Sequence, residues 1–156
     1  MIRVKQTILG AKGNCFAACV ASILELPIED VPNLGNDSDN FNWSDWMRLW
    51  NEWLESRNLC LSVIHYYEWE GVSSTKPKGY SILSAKSPRL KEQELNHAVV
   101  CFDGKIVFDP HPQREMGVGV WEYFYVFSAL NPALFTVKGQ SLESAIADVH
   151  FSSAGL

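Results

Sequence analysis

The pattern of apolar and polar positions changes character part-way along the chain. Two early segments, at about 15–25 and 43–57, repeat apolar residues at steps of three and four, which is the period of one helix face. Later segments are short apolar or alternating runs typical of strands, at 59–67, 79–84, 98–102, 105–108 and 118–130. Helices followed by a series of antiparallel strands predict the α+β class, with the N-terminal helices packed on the sheet.

The first predicted helix begins at a cysteine. Asn14 stands at the position of an N-cap residue, and Pro27 lies just beyond the end of the helix. The helical spacing predicts an inward apolar stripe made of Phe16, Cys19, Val20, Ile23 and Leu24. Cys15 would then lie in the first turn, where unpaired backbone N–H groups and the positive end of the helix dipole favour a thiolate.

The second predicted helix combines a cap signal with a row of indoles. Asn42 is the expected cap, and Asp45 follows three residues later, where it can reach back to the helix start. Four tryptophans recur at steps of three and four along one face: Trp43, Trp46, Trp50 and Trp53. We expect this face to pack in the core; a ligand platform is the alternative.

The strongest turn signal is Asp103-Gly104, which separates two apolar runs and predicts a hairpin. With these two residues as the turn, Phe102 pairs with Lys105, and counting outward pairs Ala98 with Asp109. His97 would then lie within side-chain reach of the Asp109 carboxylate.

Size, charge and cysteine content narrow the class of protein. The 156 residues suit one domain over about 1–130, followed by an extension at 131–156 that is a short helix or a loosely ordered tail. A net charge of −5 argues against a nucleic-acid partner. No apolar run approaches the roughly 18 residues of a membrane span, and the N-terminus lacks the apolar core of a signal peptide. The four cysteines are therefore expected to be reduced thiols in the cytoplasm.

Three residues occur in the order of a thiol-hydrolase triad. Cys15 is the candidate nucleophile, His97 the candidate base and Asp109 the residue that would orient His97. Gln6 is the candidate for an oxyanion donor, together with the backbone N–H of Cys15. His111, two residues after Asp109, is an alternative base.

A zinc site is the inorganic alternative for the same residues. Cys15 and Cys19 share a helix face, and His97 and Cys101 share a strand face. Neither spacing matches a common zinc module, so we predict no metal and no organic cofactor. Cys19 and Cys101 are expected to fill the core between helix and sheet.

These residues resemble the papain-like cysteine peptidases, and most closely the bacteriocin-processing peptidase branch and the small peptidase-like proteins of bacteria and their phages. The resemblance covers about 5–130 and depends on Gln6, the Asn-Cys-Phe-Ala-Ala-Cys run at 14–19, the His-Ala-Val-Val run at 97–100 and the Asp-Pro pair at 109–110. Two features depart from that branch: Gln6 stands nine residues before Cys15, and Asn14 replaces the usual aspartate.

The resemblance implies a papain-like topology and a cysteine protease-like hydrolase that acts on an amide bond of a peptide or protein substrate. Deamidation and acyl transfer use the same triad and stay open. So does a catalytically idle papain-like fold that binds a peptide or protein, for example a phage-encoded inhibitor. A substrate groove is conjectured between the loop at 28–40 and the segment at 66–70, and the acidic surface favours a basic or glycine-rich peptide.

Overall fold

The structure is a computed structural model, and it describes residues 1–34, 42–69, 72–87, 95–113, 117–131, 136–137 and 140–141. Within these ranges, the helices are α1 (Cys15–Leu24) and α2 (Trp43–Glu55), with a short 3₁₀ turn at Ile28–Asp30 between them. The strands that follow are β1 (Leu59–His65), β2 (Glu68–Trp69), β3 (Val72–Ser73), β4 (Tyr80–Lys86), β5 (Asn96–Phe102), β6 (Lys105–Phe108), β7 (Trp121–Ala129), β8 (Thr136–Val137) and β9 (Gln140–Ser141).

One antiparallel sheet organises the described part of the chain. Its strands lie in the order β1-β7-β4-β5-β6, while β2 pairs with β3 and β8 pairs with β9 in two small separate ladders. The early helices and this sheet confirm the α+β class. No described helix has the length and apolar character needed to cross a membrane.

Helix α1 is buried through most of its length. It begins at Cys15 and ends before Glu25, whose φ of 58° places it in the left-handed region. The predicted stripe residues Phe16, Cys19 and Val20 are buried, and so are the small residues on the neighbouring faces. Small side chains let the helix lie close to the sheet, and its main contacts are with β5.

Helix α2 brings its indoles to the same core. Trp46 and Trp50 are buried, and the ring of Phe16 lies 4.7 Å and 5.1 Å from theirs. Trp53 is partly buried at the edge of this cluster, whereas Trp43 is 43% exposed. The core interpretation of the stripe is thus confirmed for its two central members.

The two buried cysteines lie in different clusters. Cys19 packs with Ala98 and Val100 under α1, whereas Cys101 packs with Val99 in a second cluster. Because successive strand residues point to opposite faces, these clusters occupy the two faces of the sheet. Cys19 fills the core between helix and sheet as expected; the same expectation for Cys101 is wrong. Burial raises the pKa of both thiols, that of Cys101 to about 12.

The predicted hairpin forms with a different register. Asp103 and Gly104 have φ values of 50° and 70°, as a two-residue primed turn requires. Phe102 pairs with Lys105 and Cys101 with Ile106 as predicted, but the register shifts between Cys101 and Val100, so that Val100 lies opposite Phe108. The predicted pairing of Ala98 with Asp109 is therefore wrong, because a β-bulge inserts one residue into β6.

Several predictions fall on other parts of the chain. Most of the extension at 131–156 and the second half of the conjectured groove loop at 28–40 lie outside the described residues. Strand β4 continues through Ala85 and Lys86, two residues beyond the strand predicted at 79–84.

Candidate active site

The side chain of Asn14, the residue before Cys15, does not cap the helix that follows it. The side chain of Asn14 makes no hydrogen bond to the first turn of α1. Its Oδ1 instead accepts hydrogen bonds from the backbone N–H groups of Thr7 and Ile8, at 3.0 Å and 2.9 Å, and its Nδ2 donates to Thr7 Oγ1 at 3.0 Å. Asn14 thus occupies the predicted N-cap position, but its side chain does not cap the first turn. Its side chain ties the start of α1 to the N-terminal segment.

The long spacing between Gln6 and Cys15 is absorbed by a compact loop. The backbone N–H of Gly13 donates to the carbonyl of Gly10 at 3.0 Å. A Cβ atom on Gly13 would lie 2.8 Å from that carbonyl oxygen and 3.1 Å from that of Ile8, so the loop closes tightly only with glycine here. The same hypothetical Cβ lies 3.6 Å from Gln6 Nε2. The side-chain amide of Gln6 is therefore close to Gly13, two residues before the start of α1.

Gln6 is buried and its amide is held in one orientation. Nε2 donates to the carbonyl oxygen of Ile8 at 2.9 Å; the reversed amide would place two oxygens together. A primary amide carries two N–H groups, and the bond to Ile8 uses one of them. The backbone N–H of Gln6 donates to the carbonyl of Pro110 at 2.9 Å, so this segment also contacts the loop that carries Asp109.

His97 and Asp109 form a buried pair. His97 Nε2 lies 2.8 Å from Asp109 Oδ1, and the same oxygen accepts a hydrogen bond from the backbone N–H of His111 at 2.8 Å. Both residues are less than 5% exposed. Because Nε2 is engaged by the carboxylate, Nδ1 is the ring nitrogen left for Cys15.

The surroundings of His97 favour its protonated form. Burial alone lowers the pKa of His97, but hydrogen bonds from the imidazole to Asp109 and to Cys15, with the attraction of both groups, raise it to about 9. Among the interactions that raise this pKa, the hydrogen bond to Asp109 is the largest and the hydrogen bond to Cys15 is next; both partners stabilise the imidazolium. The ring thus connects the thiol to the carboxylate.

Lys5 binds the backbone of the loop that carries Asp109. Its Nζ donates to the backbone carbonyls of Asp109 and His111, each at 2.9 Å, and lies 4.9 Å from the centre of the Phe108 ring. The sequence analysis missed this contact. No local signal could have revealed it, since Lys5 and Asp109 are 104 residues apart in the chain.

A cavity of about 130 Å³ joins these groups. Gln6, Cys15 and His97 line it together, and Asp109 contacts His97 from behind. The cavity wall also contains Ser87 and Asn96, which the sequence analysis did not single out, and the apolar Leu9. All four predicted site residues are therefore brought to one place.

His111 also lines this cavity, although it does not take the position of the base. Its Nδ1 accepts the backbone N–H of Gln113 at 3.4 Å, whereas the imidazole between Cys15 and Asp109 is that of His97. Of the remaining histidines, His65 is exposed against the ring of Tyr123, and His150 lies outside the described residues.

The described residues offer no cluster of three or more histidine, cysteine or acidic side chains able to hold a metal ion. The four residues weighed for zinc do not converge, because Cys19 and Cys101 lie on different faces of the sheet.

Comparison with known proteins gives no match: no family model fits the chain, and neither a curated protein nor a solved structure is significantly similar to it. Any assignment of function therefore depends on the residues and their geometry.

Proposed function

We propose that this protein is a thiol-dependent hydrolase of papain-like topology that cleaves an amide bond with Cys15, His97 and Asp109. The observation that carries the proposal is the buried imidazole of His97, which contacts the thiol of Cys15 and lies 2.8 Å from the carboxylate of Asp109. A nucleophile, a base and an orienting carboxylate in contact is the arrangement that covalent acyl transfer requires.

The reaction divides into two steps. The thiolate of Cys15 attacks the substrate carbonyl carbon, and the imidazolium of His97 gives its proton to the leaving amine as the C–N bond breaks. Water then attacks the thioester, His97 accepts a proton from this water, and the acid product leaves as the C–S bond breaks. Asp109 keeps the ring oriented and stabilises its charged form in both steps.

The oxyanion of each tetrahedral intermediate needs nearby donors. The second N–H of Gln6 Nε2 and the backbone N–H of Cys15 are the candidates, since both residues line the cavity. The side chain of Asn14 supports this role indirectly. It binds Thr7 and Ile8 rather than the first turn of α1, so it leaves the N–H groups of that turn to the site.

The proposal is tested by the rate at which iodoacetamide alkylates Cys15, followed by mass spectrometry from pH 5 to pH 9. Cys60 is an internal reference, since it is another partly exposed free thiol of the same molecule. At pH 6 we expect Cys15 to react at least about tenfold faster than Cys60, because the thiolate is the reactive form. His97→Ala should remove this advantage, whereas His65→Ala, a matched change at an exposed histidine, should preserve it.

Equal rates at Cys15 and Cys60, unchanged by His97→Ala, would contradict the proposal and favour a binding protein of the same fold. If the activated thiol is found, a peptide library incubated with the protein and with Cys15→Ala distinguishes the reaction subtypes by product mass. Hydrolysis splits a peptide, deamidation adds about 1 Da to an intact one, and acyl transfer joins it to an added amine.

A further inference from the structure

Two polar residues of the cavity wall, Ser87 and Asn96, have no part in the proposed reaction. Ser87 follows the last residue of β4 and is 5% exposed, and Asn96 is the first residue of β5, directly before His97. The backbone N–H of Ser87 donates to the carbonyl of Leu95 at 2.8 Å, which holds these two strand ends together. Both side chains are therefore carried by a well-anchored part of the sheet, next to the proposed base.

The side-chain amide of Asn96 is held in one orientation. Its Nδ2 donates to Ser84 Oγ at 3.2 Å and to Glu122 Oε2 at 2.6 Å. The reversed amide would place an oxygen against the carboxylate, and the two bonds use both N–H groups of Nδ2. Toward a ligand in the cavity, Asn96 is therefore an acceptor through Oδ1.

Ser87 adds a second acceptor to this side of the cavity. A hydroxyl has one O–H donor and two acceptor lone pairs, so Oγ accepts an N–H even while it donates its own proton. The candidate oxyanion donors, Gln6 and the backbone of Cys15, belong to the N-terminal segment and the start of α1. The cavity thus combines donors from the N-terminal part of the chain with acceptors from the ends of β4 and β5.

A primary carboxamide matches this division of donors and acceptors. Its oxygen accepts hydrogen bonds and its nitrogen carries two N–H groups, whereas the nitrogen of a peptide bond carries one N–H and a second carbon. The cavity volume of about 130 Å³ is also small beside the roughly 300–1,000 Å³ of pockets that hold a whole small molecule. A space of this size suits the end of one side chain.

We propose that the substrate group is the primary carboxamide of a glutamine or asparagine side chain, and that Ser87 and Asn96 bind its NH₂ group. The inference rests on the proposed function, because it assigns a substrate class and a reaction subtype to the same site. Cys15 attacks the carboxamide carbon, the imidazolium of His97 protonates the nitrogen, and ammonia leaves as the C–N bond breaks. Water then attacks the thioester, returns a proton to His97 and releases the carboxylic acid as the C–S bond breaks.

Two small alkylating reagents test this proposal without a known substrate. Chloroacetamide and chloroacetone both lose chloride when a thiolate attacks, and they differ only in NH₂ against CH₃ on the carbonyl, two groups of similar size. The ratio of their rates at Cys60, another partly exposed free thiol, gives the intrinsic difference between the reagents. We expect the ratio at Cys15 to favour chloroacetamide by a further factor of about five, the effect of one hydrogen bond between neutral groups.

Substitutions at Ser87 assign this preference to the cavity wall. Ser87→Ala removes the hydroxyl and should abolish most of the preference, while the chloroacetone rate at Cys15 stays near that of the native protein and reports an intact Cys15–His97 pair. Ser87→Thr retains the hydroxyl and should keep the preference. Ser62→Ala, a matched change at an exposed serine of β1, should not alter it.

A reagent ratio at Cys15 equal to that at Cys60, or a preference that Ser87→Ala leaves intact, would overturn the assignment. Failure of the proposed function gives a different result, since Cys15 would then react no faster than Cys60 with either reagent.

Two peptides with free C-terminal carboxylates, acetyl-Ala-Gln-Ala and acetyl-Ala-Asn-Ala, distinguish the two side chains. Each contains one primary carboxamide among several backbone amides, so one reaction compares both kinds of amide bond. Ammonia release and the mass gain of deamidation, absent with Cys15→Ala, would support the proposal and identify the preferred side chain. Cleavage of a backbone amide with the side chain intact would overturn it.

Discussion

Helices α1 and α2 both follow an asparagine, yet the two asparagines do different things. Asn42 has an extended backbone (φ −117°, ψ 118°), and its Oδ1 accepts from the N–H groups of Ser44 and Asp45. Asn14 has φ −104° and ψ 33°, outside the extended region usual for an N-cap, and its Oδ1 accepts from Thr7 and Ile8. The side chain of Asn42 therefore caps the first turn of α2, whereas the side chain of Asn14 ties the start of α1 to a segment several residues earlier.

Under the proposed function, this difference separates a helix end that is only structural from one that serves the site. A cap satisfies first-turn N–H groups and stabilises the helix, but it also occupies the donors that an oxyanion or a thiolate would use. At α1 the asparagine stabilises the segment that carries Gln6 instead. The site therefore gains a positioned amide and keeps its helix N-terminus for Cys15.

The largest expected effect concerns the positive charge of His97, the β5 residue that contacts Cys15 at the start of α1. The pKa of His97 is about 9 in the folded protein, above the ordinary 6.5, so the folded state retains a proton that the unfolded state loses between these values. The resulting stabilisation is complete below about pH 6.5 and disappears as the pH rises through about 9; at 1.36 kcal/mol per unit it is at most about 3 kcal/mol.

Urea unfolding at pH 6 and pH 9.5 measures this difference. His97→Gln should lack the pH-dependent part of the stability that the native protein shows. A native protein whose loss of stability over this range equals that of His97→Gln would contradict the raised pKa.

The next effect is expected at Asn14. Asn14→Ala removes the acceptor of two partly buried hydrogen bonds, those from the N–H groups of Thr7 and Ile8, which should cost about 2 kcal/mol of unfolding free energy at about 1 kcal/mol for each bond. The N-terminal segment should also shift, so we expect slower alkylation of Cys15 by iodoacetamide. Asn14→Asp retains the accepting oxygen and is the matched control. Normal stability of Asn14→Ala would show that these hydrogen bonds are unimportant.

The smallest effect is expected at Asn42. Asn42→Ala removes a helix cap and should lower the unfolding free energy by about 1 kcal/mol, because the cap is exposed to solvent. The alkylation rate of Cys15 should not change. A variant that altered both quantities as Asn14→Ala does would remove the distinction between the two helix ends.

Local features of the sequence were enough for much of the fold. The period of three and four residues located α1 to within one residue of its end, and Asp103-Gly104 identified the turn between β5 and β6. Asn42 was correctly assigned as a cap because a cap involves only residues two or three positions away. Such features depend on neighbouring residues, so the sequence expresses them directly.

The proximity of His97 and Asp109 was predicted for a partly incorrect reason. Counting from the turn placed Ala98 opposite Asp109, but the bulge in β6 changed that register. The two side chains still meet, at 2.8 Å, because the chain after β6 is held by contacts from Lys5 and Gln6. No local residue pattern predicts this bulge, since the bulge depends on how the two faces of the sheet pack.

The sequence by itself determined the helices, the hairpin turn and the order of cysteine, histidine and aspartate along the chain. Only the tertiary structure decided that Asn14 binds the N-terminal segment, that Lys5 holds the Asp109 loop and that His111 lines the cavity. The physical reason is distance along the chain. Periodicity, turns and caps follow from adjacent residues, whereas the last two of these contacts bring together residues more than 90 positions apart. The Asn14 contact spans only six and seven positions, but there the tertiary arrangement of the N-terminal segment replaces the partner that the local N-cap rule predicts.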